Sequence, residues 1–209
     1  ITQVGHFLRH TPAIQNAKKI IDSNDFGLPV SFYGNYLTFG PWEIRKEWDS
    51  NCLKETYMTV QGIHLIDIAI YLMGPIKEIK CFNSLSKTNR LSFSISILFE
   101  NLAIGTFVLS ASSPKWSSQI EVLSDKNHRI SIHDANEVFF HKNNDILSLP
   151  FKSNQSSCFN SSSSYGVEQR NGYTLQMQSF INSILNGDNG NPSFEEALMV
   201  LDWAKKITD

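Results

Sequence analysis

The most constraining segment of this sequence is residues 62–74, Gly-Ile-His-Leu-Ile-Asp-Ile-Ala-Ile-Tyr-Leu-Met-Gly, an apolar run interrupted only by His64 and Asp67. A helix that is apolar on nearly every side is expected to be buried, and residues three apart share one face of it. A buried imidazole and a buried carboxylate cost free energy unless each has a partner or a chemical task. Two interpretations therefore stay open: an internally satisfied histidine beside a carboxylate, or part of an active site.

The composition narrows the class of protein. The chain has 209 residues, of which 41% are hydrophobic and 18% charged, and its formal net charge is -2. This balance gives no electrostatic attraction toward nucleic acids or anionic membranes, and no apolar run reaches the roughly 18 to 20 residues of a membrane-spanning helix. The cysteines Cys52, Cys81 and Cys158 are odd in number and form no CxxC pattern, which argues against a disulfide framework or a zinc site. We expect a cytoplasmic protein with no nucleic-acid or membrane partner.

Two hydrophobic periods divide the chain. A period near 3.6 and capping signals predict helices, whereas alternation such as that of Phe93 and Ile95 with the serines between them predicts strands. The serine-rich segment 153–164 reads as a loop. The predicted helices cover 12–23, 57–73, 167–186 and 194–207, and the predicted strands cover 30–39, 93–99, 103–110, 118–124, 129–133, 137–141 and 146–149.

This order of elements predicts an α+β fold, a large mixed and mainly antiparallel open-faced sheet with helices on one face. We expect one domain spanning residues 1–209; two small separate domains are the alternative. The strand at 103–110 carries apolar residues on both sides, with Phe107 and Leu109 opposite Ile104 and Val108. An apolar face left uncovered usually marks an interface. We therefore expect a homodimer or a tetramer formed through the open sheet face.

Several chemical motifs are missing from the sequence. Nothing matches the glycine-rich phosphate loops GxGxxG and GxxxxGK[ST], and neither GxSxG nor HExxH occurs. His6 and His10 are four apart but have no third ligand nearby, so no metal site is predicted. The sequence consequently offers no cofactor-binding residues, and we expect this chain alone to bind no dinucleotide.

Four segments together resemble the Gfo/Idh/MocA oxidoreductases, a family named after glucose-fructose oxidoreductase and inositol dehydrogenase. The resemblance extends along the whole chain, and it concerns only the second domain of that family. The matching segments are Val4-Gly5-His6-Phe7-Leu8-Arg9-His10-Thr11-Pro12-Ala13, the run from Ile20 to Val30, Gln61-Gly62-Ile63-His64-Leu65-Ile66-Asp67 with Leu72-Met73-Gly74, and Tyr173, Gln176 and Phe180 followed by Pro192 to Leu198.

The resemblance implies a function that composition alone does not reach. Family members begin with a Rossmann domain that binds NAD or NADP and carries a catalytic lysine; that domain is absent from this chain. The chain would then be the substrate-binding and oligomerisation domain of an NAD(P)-dependent oxidoreductase acting on a sugar, sugar nucleotide or polyol. By position, His64 would accept the substrate hydroxyl proton, and Asp67 would orient it or pair elsewhere. Arg9 and Trp48 would contact the substrate; the alternatives are a surface ion pair for Arg9 and core packing for Trp48.

The sequence departs from the family pattern beside the histidine. Val60 stands where many members have Asp or Asn, and Lys54-Glu55-Thr56 replaces a glycine-rich run. Glu55 could supply a carboxylate from another direction. Two rival functions follow: a binding or assembly module that keeps the fold without the chemistry, or a relative that uses redox chemistry transiently for elimination or hydrolysis. Fold analogy does not choose among them.

Overall fold

The computed structural model describes residues 1–44, 52–142, 155–163 and 165–208. The α-helices are α1 (Pro12–Ile21), α2 (Leu53–Tyr57), α3 (Ile63–Met73), α4 (Val167–Arg170), α5 (Tyr173–Asn186) and α6 (Phe194–Thr208). The strands are β1 (Pro29–Leu37), β2 (Ile76–Leu85), β3 (Leu91–Phe99), β4 (Ile104–Ser110), β5 (Ser117–Ser124), β6 (Arg129–His133), β7 (Glu137–Lys142) and β8 (Gln155–Asn160). Within these ranges seven consecutive strands, β2 to β8, follow the first three α-helices and precede the last three.

All eight strands belong to one sheet in the order β2-β3-β4-β1-β5-β6-β7-β8. The central pair β1 and β4 is parallel, with Ser31 opposite Ile104, and the other neighbouring pairs are antiparallel. The predicted fold class is therefore confirmed. The strand containing Phe93 and Ile95 lies in the same sheet as the first strand, as expected.

Burial alternates along the central strands, because successive side chains of a strand point to opposite faces. On β4, Phe107 and Leu109 are buried, whereas Ile104 and Val108 are 56% and 41% exposed. Helices α1, α3 and α6 pack against the sheet, and their apolar side chains join the inward-facing strand residues in a single core. The opposite sheet face remains open and includes Tyr33, which is 45% exposed.

The first helix begins where its sequence signals place it. Thr11 is the N-cap, and its hydroxyl accepts a hydrogen bond from the amide of Ile14, which satisfies one free N–H of the first turn. Pro12 occupies the first helical position, where its missing N–H costs nothing. The buried side of the helix carries Ile14 and Ile21. This short helix fixes the residues just before it, among them Phe7 and Arg9.

Four elements differ from the sequence-based expectation. β2 matches none of the predicted strands, and the helix predicted over 57–73 contains a π-helical turn at Met58–Gly62. The segment predicted as a serine-rich loop contains β8, which pairs with β7 along its whole length; backbone hydrogen bonds at a sheet edge do not require large side chains. The helix predicted over 167–186 is interrupted at Gly172, where φ is 83°. The strand predicted over 146–149 lies outside the described residues.

Candidate functional site

His64 lies in the first turn of α3, after an irregular stretch of helix. Helix α2 runs into a π-helical turn, Met58–Gly62, before α3 begins at Ile63. π-helical turns are rare and often occur at functional sites. A Cβ at Gly62 would overlap the side chain of Met58 and lie 3.2 Å from Leu109 Cδ1, so only glycine fits there without displacing its neighbours.

Three rings surround the imidazole of His64. The centroid of the Phe7 ring lies 5.1 Å away, that of Tyr36 6.1 Å away, and that of His6 6.4 Å away. The Nδ1 atom of His64 is buried and has no hydrogen-bond partner among the described residues. Burial lowers the pKa of His64 to about 4, and the charge of a protonated His6 would lower it further. The imidazole is therefore neutral at pH 7 and has a free lone pair to accept a proton.

The partner of Asp67 is Arg9. The Arg9 Nε lies 2.9 Å from both oxygens of the carboxylate, and both side chains are almost fully buried, at 2% and 1% exposure. The same guanidinium donates to Glu196 Oε1 and Asn191 Oδ1, each at 3.1 Å. Arg9 thus joins the turn before α1 to α3 and to the start of α6. Burial raises the pKa of Asp67 to about 6, and the hydrogen bonds and charge of Arg9 oppose that rise.

A cavity of about 440 Å³ opens beside His64. Its volume falls within the range of small-molecule sites, and its wall combines aromatic faces with polar groups. His64 does not line it directly, but its ring contacts two residues that do, Phe7 and Tyr36. The lining residues are Phe7, Leu8, Thr11, Tyr36, Trp116, Asp134, Ala135, Asn136, Arg170, Asn171 and Tyr173.

The aromatic wall depends on a glycine. Gly172 has φ of 83°, and a Cβ there would overlap the carbonyl oxygen of Phe7, so the backbone of α5 starts directly against that of Phe7. This close approach stacks the ring of Tyr173 on Phe7, with centroids 4.5 Å apart and planes inclined by 22°. Across the cavity, Trp116 meets Tyr36 edge to face at 5.8 Å. Flat ring faces of this kind suit the apolar face of a sugar ring.

The polar wall comes from the turn between β6 and β7. Asp134 and Ala135 both have φ of 50°, an uncommon conformation for residues other than glycine. The turn is tied to its surroundings, because Asp134 accepts a 2.8 Å hydrogen bond from the amide of Ser118 and donates its own amide to the Ser118 carbonyl. Ser161 donates through its hydroxyl to the side chain of Asn136. Positive φ at two consecutive residues is usual in the tight turn of a hairpin, and the turn here places Asp134, Ala135 and Asn136 at the cavity.

The structure distributes the site residues predicted from the sequence among different environments. His64 lies beside the cavity, whereas Asp67 pairs with Arg9, which is the second of the two roles considered for that carboxylate. Arg9 does not line the cavity, and neither does Glu55. Trp48 lies outside the described residues.

Most residues around the cavity were not predicted from the sequence. They come from separate elements, and only two local signals pointed to them: the turn-forming Asp134-Ala135-Asn136 between two strands, and Gly172 just before Tyr173.

Other kinds of site receive no support in the described part of the chain. His10 contacts the carbonyl oxygen of Asn191 through Nε2 at 2.9 Å, and across residues 1–44, 52–142, 155–163 and 165–208 no group of three or more His, Cys, Asp or Glu side chains is arranged to hold a metal ion. None of the helices in those ranges has the length and apolar character needed to cross a membrane.

Comparison with known proteins gives one sequence match and many structural ones. The sequence model of the GFO/IDH/MocA C-terminal domain matches residues 14–128. No curated protein matches the sequence.

Three solved structures illustrate the structural similarity. A dehydrogenase from Chromobacterium violaceum superposes with a TM-score of 0.87 at 14% identity, covering 100% of this chain and 60% of that one. Levoglucosan dehydrogenase in complex with NADH and L-sorbose gives 0.79 at 17% identity, covering 97% and 61%. UDP-N-acetylglucosamine 3-dehydrogenase from Acidithiobacillus ferrooxidans gives 0.74 at 15% identity, covering 97% and 60%. The chain thus spans about three-fifths of the length of these proteins, and identities this low establish a common fold only.

Proposed function

Because the chain belongs to the GFO/IDH/MocA C-terminal domain family, we propose that it is the substrate-binding domain of an NAD- or NADP-dependent oxidoreductase that acts on a hydroxyl group of a sugar, sugar nucleotide or polyol. One observation carries the proposal. The neutral imidazole of His64 contacts Phe7 and Tyr36, two aromatic residues that line the cavity. The names of two similar structures, a levoglucosan dehydrogenase and a UDP-N-acetylglucosamine dehydrogenase, agree with a carbohydrate substrate.

The chemistry assigned to His64 follows from its protonation state. Oxidation of an alcohol to a ketone removes a hydride from carbon and a proton from oxygen, and a positioned base accelerates the second transfer. His64, with its pKa lowered to about 4, stays unprotonated at pH 7 and is ready to accept the hydroxyl proton. A bound nicotinamide would supply the hydride acceptor.

Asp67 and Arg9 are assigned a positioning role rather than direct contact with substrate. Their ion pair links α3 to the turn that carries Phe7, so it fixes His64 against a ring that lines the cavity. Catalysis is sensitive to displacements of about 1 Å at such groups. This role accounts for a buried carboxylate that makes no hydrogen bond to the histidine three residues earlier.

The cofactor is assigned to a part of the protein outside these residues. No glycine-rich phosphate loop occurs in the sequence, so the described residues do not fit a dinucleotide. An apolar surface is available for a further domain, since Met177, Ile181 and Ile184 follow one side of α5 and are 48–59% exposed. Phe194 and Leu198 on α6 are exposed to a similar extent. We assign this surface to the contact with a dinucleotide-binding domain like that of the relatives.

Turnover by the full-length protein tests the proposal. With NAD or NADP and a panel of sugars and polyols, we expect reduced cofactor to form, and His64→Ala to lower turnover by about a hundredfold or more without loss of folding. His10→Gln serves as control, because His10 is a buried histidine that contacts the carbonyl of Asn191 instead of the cavity rings. Wild-type turnover in His64→Ala with a lower melting temperature would mean that His64 is a core residue.

A second candidate function rests on Val60, which replaces an acidic or amide residue of the family pattern. A binding or assembly module with the same fold would tolerate that change, because it needs no acid or base. One measurement distinguishes the two functions. The module would bind sugars but would reduce no NAD or NADP, even under conditions in which the cofactor binds to the protein. Calorimetry on the 209-residue chain should in either case detect no micromolar binding of NAD or NADP; such binding would place the cofactor site within these residues.

A further inference from the structure

The guanidinium of Arg170 stands out among the polar groups around the cavity. Arg170 is the last residue of α4, its side chain lines the cavity, and its Nε is buried without a hydrogen-bond partner. In the part of the chain that the structure describes, the guanidinium forms no ion pair with any carboxylate. An arginine side chain always carries its charge and presents five N–H donors. Here the side chain is only partly exposed, and its shielded Nε donor without a partner costs free energy.

The neighbouring polar groups have structural explanations that Arg170 lacks. Asp134 accepts a hydrogen bond from the amide of Ser118 and thereby closes the turn between β6 and β7. Asn136 accepts from the hydroxyl of Ser161. Asp134 lines the same cavity, but no ion pair joins it to Arg170 among the described residues, so the positive charge is not neutralised from within. Arg170 is the cationic group of the wall, and its shielded Nε donor remains to be used by a ligand.

We propose that Arg170 binds an anionic group, a carboxylate or a phosphate, carried by the substrate. This inference rests on the proposed function of the cavity. The planar fork of a guanidinium matches both kinds of oxyanion and holds them through two parallel hydrogen bonds. Arg170 belongs to α4 and His64 to α3, so the anion anchor and the base that takes the hydroxyl proton lie on separate elements. The substrate class is therefore a sugar acid, a sugar phosphate or a nucleoside-diphosphate sugar.

The remaining walls are compatible with such a ligand. The stacked pair of Phe7 and Tyr173 offers flat apolar surface to a sugar ring. The carboxylate of Asp134 repels an anion placed beside it and accepts hydrogen bonds from hydroxyl groups. One cationic and one anionic side chain on the same cavity thus give the ligand a single favourable orientation, with its acidic group at Arg170 and hydroxyl groups toward Asp134.

Calorimetric titration of the full-length protein, with and without NAD or NADP, tests the inference. The probes are a hexuronate, a hexose phosphate and a nucleoside-diphosphate hexose, with the uncharged hexose as reference. At least one anionic probe should bind more tightly than the hexose, and Arg170→Gln should weaken that probe by about tenfold to a hundredfold while leaving hexose binding unchanged. The probe that binds distinguishes a carboxylate from a phosphate. Equal affinities of wild type and Arg170→Gln for all three anionic probes would overturn the inference.

Two further variants separate folding and chemistry from anion recognition. Arg129→Gln removes the same charge from an exposed position on the open sheet face, and it should leave all affinities unchanged. Arg170→Lys should retain part of the binding of the anion, because it keeps the charge but not the fork. His64→Ala should abolish turnover without weakening anion binding. Arg170-dependent binding without any turnover would refute the proposed oxidoreductase and support the anion site. Turnover with no dependence on Arg170 would support the oxidoreductase and refute the anion site.

Discussion

Arg9 and Asp67 face each other inside the protein, with Nη2 of the arginine 2.7 Å from Oδ1 of the carboxylate and both side chains shielded from solvent. The two residues are 58 positions apart in the chain, and their ion pair ties the turn before α1 to α3. The guanidinium uses its other donors on Asn191 and Glu196. Removal of Arg9 would leave the Asp67 carboxylate buried without its ion-pair partner, whereas removal of Asp67 would leave Arg9 with Glu196 alone.

We therefore predict that Arg9→Leu lowers the free energy of unfolding by about 3–5 kcal/mol, the usual cost of breaking a buried ion pair. Glu196→Gln is the matched control: its carboxylate is 45% exposed, so the loss should stay below about 1 kcal/mol. The double variant Arg9→Leu/Asp67→Leu should be more stable than the sum of the single changes implies. Urea titrations measure five proteins: the wild type, Arg9→Leu, Asp67→Leu, the double variant and Glu196→Gln. Additive effects of the two single changes at Arg9 and Asp67 would contradict a direct pair.

Stability should fall as the pH is lowered from about 6.5 to about 4. Burial lowers the pKa of His6 and His64 from 6.5 to about 4, so in this window the unfolded chain takes up protons that the folded protein does not, and acid favours unfolding. Asp67 acts in the opposite sense: its pKa is raised from 3.8 to about 6, so its contribution to stability is greatest at low pH and declines as the pH rises through 6. Two histidines outweigh one carboxylate.

The test is a pair of urea midpoints at pH 7 and pH 5. The wild type should lose stability between them, and the double variant His6→Asn/His64→Gln should lose clearly less, because the two groups that favour unfolding in acid are gone. An identical difference in wild type and variant would show that neither histidine is responsible.

Gly172→Ala should disrupt the cavity wall at its aromatic end. The substitution places a side chain where φ is 83° and where the Phe7 carbonyl already lies, which adds steric overlap to a conformational cost of about 1–2 kcal/mol. We expect a lower melting temperature together with loss of the contact between Tyr173 and Phe7, visible as a change in near-ultraviolet circular dichroism.

Gly187→Ala provides the comparison for that experiment. Gly187 also has a positive φ, 74°, but a Cβ there would meet nothing within 4 Å. The Gly187→Ala variant should therefore lose only the part of the stability that corresponds to the conformational cost. If both variants lost the same stability and kept the same aromatic spectrum, the close approach at Gly172 would have no energetic importance.

The open sheet face should mediate self-association. Tyr33, Ile104 and Val108 lie exposed on that face, and exposed apolar surface of this kind usually marks an interface. Light scattering should report at least twice the 23.7 kDa mass of the chain, and Val108→Lys should reduce the mass to that of a monomer. Leu28→Lys is the control, since Leu28 is 70% exposed in the loop before β1. A wild-type monomer at micromolar concentration would refute the dimer.

Local patterns sufficed to predict much of the sheet. The strand predicted over 129–133 has the same bounds as β6, and the alternation of Phe93 and Ile95 with serine identified β3, because one face of each strand is buried. No such pattern marks β8, whose pairing with β7 depends on backbone groups. The π-helical turn before α3 was likewise not predicted, since its residues fit an ordinary helix equally well.

The candidate site was predictable only in part for a related reason. Spacing places His64 and Asp67 on one helix face, but it does not reveal that Asp67 pairs with Arg9, a residue distant in the chain. Arg170 and Asp134 reach the same cavity from a helix and a turn, and neither carries a local signal of that meeting. They come together because of the order of the strands in the sheet, which no short stretch of sequence reveals.

The position of β1 between β4 and β5 also governs how the protein can be synthesised. β1 leaves the ribosome before the other strands of this sheet, yet its neighbours are Ile104–Ser110 and Ser117–Ser124. Until both have emerged, the edges of β1 stay unpaired and Phe32 has no completed sheet to pack with. A chain in this state is prone to aggregation. A nascent chain that stalls before residue 124 would thus need chaperone protection, whereas the hairpin of β6 and β7 closes locally as soon as it appears.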